Sequence, residues 1–389
     1  MKPHIFAEVS DGKRDAAPVL QQALDRRGEI HIPKGNYLLG ATLRVRSDTT
    51  IVAAPGSTFR LADGVGRHCR NFMITNANPG NGNANISLRG GLWDANNAGN
   101  PRGPDPGNGY FAVPLDELDF DLLAYTGVAI NFTNVRNLTL RDFTVHNPSS
   151  FFVRVGEVYD FHIENITLSA DTILPNQDGI HVGGFSERGV IRAIRATGVG
   201  VPNDDMVALN ADDDVERQLN IGMRRGPIRN LLVENIAAED AFTFIRMLSI
   251  ASPIEDITVR GLRGGCRVHG INLNNWRFPK GVGAIRRVRF EDIELAKTRV
   301  NDSTTAIVKI SLAIDDLEIR QLRRAKGTLP EVKTLVIDNH KNLNLRLDGQ
   351  IHAIRSTGGF VLADRDIAEL QLDSSSGDDV REPAGVGDA

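Results

Sequence analysis

The chain has only two cysteines, Cys69 and Cys266, in 389 residues, which excludes a disulfide framework. No four-ligand zinc spacing is present, so no structural metal or cofactor is expected. Aromatic residues are few at 6%, and no apolar run approaches the roughly 18 residues of a membrane-spanning helix. Neither charge sign dominates. The formal net charge is -4, and the basic residues are dispersed apart from pairs such as Arg286-Arg287 and Arg323-Arg324. Neither a membrane nor a nucleic acid is an expected partner. The opening residues, MKPHIFAEVSDGKRD, lack a positive region followed by an apolar core, so no secretion signal is read there and the compartment stays open. Stability must come from packing and backbone hydrogen bonds.

Glycine, by contrast, is plentiful at 38 residues, and it punctuates short alternating stretches. Residues 14–27 place Ala17, Leu20, Ala23 and Leu24 at helical spacing and end at Gly28, which predicts one short amphipathic helix. Downstream, NLTLRDF, FHIENI, VIRAI, LLVENI, ITVRGL and VRFEDI share a period-2 apolar pattern. Their last apolar residues, Phe143, Ile166, Ile194, Ile236, Leu262 and Ile293, are 23 to 31 residues apart, except for one gap of 42 that spans Asp212 to Gly226. Such periods mark a solenoid, and strand-rich repeats without a helix in each favour a parallel β-helix. A β-sandwich would need hairpin turns that are scarce here. The expected organisation is one domain over residues 1–372, capped by the helix at 14–27. Residues 373–389, rich in Gly, Ser and Asp, are read as a disordered acidic tail.

Acidic residues recur at one level of the repeat. Asp178 lies 12 residues after Ile166, and Asp204 and Asp205 lie 10 and 11 after Ile194. Adjacent strand residues point to opposite faces, so Asp204 and Asp205 can share a face only if the chain bends, and Val201-Pro202-Asn203 offers that bend. Carboxylates on neighbouring coils, about 4.8 Å apart, repel and split their pKa values, as a general acid and a general base require. Isolated, each is an ordinary turn former. Stacked, they are candidate catalytic groups.

Arg246 falls 10 residues after Ile236, at the same level, and Arg267 and His269 are expected to alternate outward around Val268. These cations could hold the acids ionised or bind an anionic sugar, or could belong to a surface ion-pair ladder. His181 is expected to project outward as a contact, and Trp276 to serve as a sugar platform or core filler. The run Asp212-Asp213-Asp214 lacks EF-hand spacing and reads as a solvated loop, so no metal ligands are assigned.

With NQD at 176–178, NDD at 203–205 and Arg267-Val268-His269, the chain resembles the polygalacturonase-like pectin hydrolases of glycoside hydrolase family 28. These segments are similar to the family's Asn-Thr-Asp, Asp-Asp and Arg-Ile-Lys segments. The Gly-His-Gly segment has no counterpart, its coil reading Asp240-Ala241-Phe242. The resemblance spans about residues 5–300 and implies a right-handed parallel β-helix that hydrolyses a polysaccharide or oligosaccharide by inversion. Asp204 would be the general acid, with Asp178 and Asp205 positioning and deprotonating water, and Asn176, Gln177, His181, Arg246, Arg267, His269 and Trp276 would contact substrate. An inverting pair separated by about 6.5–9.5 Å is expected. The alternatives are a polysaccharide lyase or epimerase using an arginine, and a non-catalytic glycan-binding or tailspike-like protein. Oligomeric state is open.

Overall fold

The computed structural model describes residues 4–102, 125–212, 220, 222–274, 283–297, 299, 306–312, 314–329, 331–337, 342–347, 350–355 and 360–361, with backbone alone for 4–5 and from 337 onward. The expected tail, 373–389, lies outside the described residues.

The apolar repeat is a register. Phe143 pairs with Ile166, Ile166 with Ile194, Ile194 with Ile236, Ile236 with Leu262 and Leu262 with Ile293, and Leu322 extends the series. All are buried, and each contributes on the order of 1.5–3 kcal/mol by leaving water. Parallel pairing links Ile130–His146, Val153–Ser169, Ser186–Val199, Ile228–Leu248, Ile254–Asn274, Ile285–Lys297 and Ile314–Arg324. A second wall is built by Ile180–Gly183, Asp205–Asn210 and the ends of the longer strands. The result is a right-handed parallel β-helix whose main core is one cluster of buried apolar side chains from Phe6 to Leu335.

The residue before each rung turns the corner. Asp142, Asn165, Ala193, Asn235, Asp292 and Gln321 all have φ between 51° and 61°, and Gly261 takes the equivalent place. Left-handed backbone suits Asn, Asp and Gly and costs other residues about 1–2 kcal/mol. The recurrent Asn/Asp-Ile pair of the sequence is therefore a corner followed by a core residue. Asn165 Nδ2 donates to Asp142 Oδ1 at 2.9 Å, so side chains stack along the corner as well.

A charged column runs beside it with alternating sign. Arg141 pairs with Glu164, then Arg192, Glu234, Arg260, Glu291 and Arg320 follow coil by coil. Arg192 lies 3.0 Å from Glu164, and Arg260 lies 2.6 Å from Glu234. Alternation relieves the repulsion that stacking like charges would create.

One expected bound is corrected. The helix is Ala17–Leu24, shorter than 14–27, because Pro18 belongs in a first turn and Asp15 ends the strand Asp11–Asp15. Asp15 Oδ1 accepts the N–H groups of both Ala17 and Gly40, tying helix start to strand. Its apolar face is as expected, with Ala17, Leu20, Ala23 and Leu24 buried. Near the other end Asn342–Leu347 still pairs parallel with Ile314–Arg324, and Gln350–Arg355 then pairs with it antiparallel. No helix among the described residues is long and apolar enough to cross a membrane.

Candidate active site

Asp178, Asp204 and Asp205 each offer an oxygen within 4.8 Å of the others. Asp178 precedes the strand Ile180–Gly183, and Asp205 opens the next, Asp205–Asn210. Gly179 N–H donates to Asp205 O at 2.8 Å, which locks the two turns one above the other. The chain bends over 202–204, and the bend brings both consecutive acids to one place. Asp178 and Asp205 are buried and Asp204 is half-buried.

This cluster breaks the rule of the charged column, where sign alternates from coil to coil. Burial, and then repulsion from Asp178, push Asp204 up from 3.8 to about 7. Burial, and then Asp204, hold Asp205 well above the ordinary carboxylate range. Arg246 opposes both shifts, with Nη1 at 3.7 Å from Asp205 Oδ2. It reaches in beside Ala208, its register partner, whose small side chain leaves room. The spacing of the three acids would suit a divalent cation. Arg246 already brings one positive charge to them.

His181 was expected to project outward. It is instead buried, with Nδ1 2.6 Å from Asp178 Oδ2 and its ring stacked on Phe151 at 4.5 Å. The cover comes from a small apolar cluster outside the main core, Phe72, Val128 and Phe151, which alternation along one strand could not reveal. Asn176, expected to meet substrate, spends its amide inside the site. Its Nδ2 donates to Asp204 Oδ2 at 3.3 Å, and its Oδ1 accepts from Arg102 Nη2 at 2.8 Å. Gln177, also expected to meet substrate, is fully buried. Its Oε1 accepts from Leu174 N and its Nε2 donates to Pro148 O and Thr172 O, so it builds the turn.

Arg267 and His269 do not form the outward pair that regular alternation predicts. The pairing of this strand with its neighbour shifts between Ala241 and Thr243, which puts His269 beside Thr243. His269 is buried, with Nδ1 3.1 Å from Ala306 O. Arg267 Nε lies 3.5 Å from Asp240 Oδ2, and Nη2 donates to Asn203 Oδ1 at 2.8 Å. Trp276, Asp213 and Asp214 lie outside the described residues. Asp212 is no solvated loop residue, because its Oδ2 accepts the N–H groups of Ile250, Ala251 and Ser252. Arg102 and Asp240 escaped the sequence reading. Arg102 lies 74 residues from its partner Asn176, with no periodic signal. Asp240 follows Ile236 by four residues, and only the coil register links it to Arg267.

The fold and the stacked acids define a class, that of parallel β-helices with a carboxylate site on one sheet face. Residues 124–226 match the family Glycosyl hydrolases family 28. A polygalacturonase of Medicago sativa is 24% identical over 169 residues, 43% of this chain and 36% of that protein. The chain thus spans about a third of the length of the curated relative it matches. The family 28 exopolygalacturonase of Yersinia enterocolitica superposes with a TM-score of 0.55 at 17% identity, covering 88% of this chain and 70% of that one. A hyperthermoactive exopolygalacturonase of Thermotoga maritima does so at 0.57 and 15%, covering 92% and 94%. The structural likeness speaks to the fold. The sequence match, confined to residues 124–226, is what makes the chain similar to the glycosyl hydrolases of family 28.

Proposed function

We propose that the chain hydrolyses O-glycosidic bonds of a polysaccharide or oligosaccharide of the pectin type. The observation that carries this is the like-charge stack of Asp178, Asp204 and Asp205, in contrast to the column from Arg141 to Arg320 in which charge alternates coil by coil. Asp204, half-buried and held at about 7, keeps a proton near neutral pH and can pass it to a leaving glycosidic oxygen. Asp178, facing the imidazole of His181, is the carboxylate suited to draw a proton from water. Asp205 completes the water's cradle. Two oxygens up to 4.8 Å apart can bond one water at about 2.8 Å each, at an angle of about 118° at the water.

The family resemblance favours inversion, and proton NMR of the first-formed anomer decides between inversion and retention. A lyase would need a free strong base, whereas Arg246 and Arg267 are both paired with carboxylates. Reducing-sugar release over a panel of pectic and neutral glycans is the primary test. Asp204→Asn should lower the rate by about two to four orders of magnitude on cleaved glycans. Unchanged release would remove Asp204 from the mechanism.

A further inference from the structure

We infer that Arg267 is a positioning residue that clamps the bend carrying Asp204, and is not a ligand for a substrate carboxylate. The role in catalysis rests on the hydrolase reading above, while the clamp itself does not.

The bend over residues 200–204 is stitched to the following coil by backbone alone. Gly200 N–H donates to Asp240 O, Phe242 N–H to Pro202 O and Thr243 N–H to Asp204 O, at 3.1, 3.1 and 3.4 Å. Only the first two are well within the usual range, and the bond at Asp204 itself is long. Arg267 adds side-chain hydrogen bonds from one coil further on. Its Nη2 donates to Gly200 O at 3.1 Å and to Asn203 Oδ1 at 2.8 Å, with Pro202 O at 3.5 Å. Three acceptors just before Asp204, at positions 200, 202 and 203, therefore converge on one guanidinium nitrogen.

The guanidinium is itself held. Asp240 Oδ2 lies 3.5 Å from Nε, and the Phe242 ring lies under the planar group at 5.8 Å. Lys297 Nζ donates to the backbone oxygen of Arg267, fixing the strand behind it. An arginine suits this place because its planar group directs Nη2 at the bend while Nε faces Asp240, whereas lysine offers a single mobile centre. The chain of contacts continues to the other acid. Asn203 Nδ2 donates to Leu174 O at 3.1 Å, and Leu174 N–H donates to Gln177 Oε1 beside Asp178. One polar thread, from Asp240 through Arg267, Asn203 and Leu174 to Gln177, ties the turn of Asp204 to the turn of Asp178.

This separates two roles that a basic residue near a glycan site could have. A substrate ligand lowers KM for charged sugars. A clamp sets the geometry of an acid, and a displacement of about 1 Å in such geometry can cost around 10²-fold in rate.

The test uses the full chain with Arg267→Gln, Arg267→Lys and Asn203→Ala. Hydrogen exchange read by mass spectrometry should quicken over residues 199–206 in Arg267→Gln and Asn203→Ala, with the strand Ile254–Asn274 unchanged. On any glycan the wild type cleaves, kcat should fall about 10–100-fold in Arg267→Gln with KM within about threefold, for neutral and uronate-bearing substrates alike, and Arg267→Lys should lie between. Unaltered exchange over 199–206 overturns the clamp. So does a rise in KM confined to uronate-bearing substrates with kcat intact, which would make Arg267 a substrate ligand. If the wild type cleaves nothing, the hydrolase reading fails, and the exchange data still decide the clamp.

Discussion

Nδ1 of His181 lies 2.6 Å from Oδ2 of Asp178, and the imidazole is sandwiched onto Phe151 where water does not reach it. The pair forms within a single strand start, three residues apart, so one turn fixes both partners. A buried carboxylate oxygen at hydrogen-bond distance from a packed ring nitrogen has its orientation fixed by that ring.

His181→Phe keeps the stacking on Phe151 and removes the hydrogen bond. The expected outcome is a fall in kcat of about tenfold or more with stability lowered by about 1–3 kcal/mol, since a buried Asp178 oxygen loses its donor. Steady-state kinetics alongside denaturant unfolding check this. Wild-type kcat in a folded variant would show that Asp178 needs no such partner.

Asp204 makes a pH prediction with a definite sign. Its carboxyl is raised from 3.8 to about 7, first by burial and then by Asp178. The folded protein therefore binds this proton more tightly than the unfolded chain does. The associated stability is fully present below about pH 4 and is lost as pH rises through about 7. Asp204→Asn keeps the shape without the charge, so its Tm at pH 8 should exceed that of the wild type by about 2–6 °C, with little difference at pH 4. The same titration requires wild-type kcat to decline above about pH 7, as the general acid ionises. A variant no more stable than the wild type at pH 8 would count against a strained acid cluster.

At the corner column, Ala193 is the residue least suited to its conformation. It has φ 53° where its neighbours along the stack are Asn165 and Asn235. Ala193→Asn should raise stability by about 0.5–1 kcal/mol, measured by chemical unfolding, because Asn accepts left-handed backbone and can join the amide stack. Asn235→Val should lower it by about 1–2 kcal/mol. Activity should be unaffected in both, since the two corners lie in strands other than those that follow or carry the acids. Loss of stability in Ala193→Asn would mean that space, not backbone conformation, limits that position.

Much of this protein is written locally. A period-2 apolar pattern repeating at coil length requires that Phe143, Ile166, Ile194, Ile236, Leu262 and Ile293 stack, because only stacking buries them all. Counting from those rungs also brought Asp178, Asp204 and Asp205 to one level, since coils in register carry equal offsets to equal places. Side-chain direction was not written locally. The shift in pairing between Ala241 and Thr243 overrode the alternation expected for Arg267 and His269. The Phe72, Val128 and Phe151 cluster buried a histidine that a lone strand would have exposed. Asn176, Gln177 and Arg267 read as substrate contacts from their residue types, and the structure adds bonds within the site, from Asn176 Nδ2 to Asp204, Gln177 Nε2 to Pro148 O and Arg267 Nη2 to Asn203. Periodicity in the sequence determines which residues share a level of the coil. Packing between coils decides where each side chain points and which charges must share a proton, because both depend on neighbours tens of residues away in the chain.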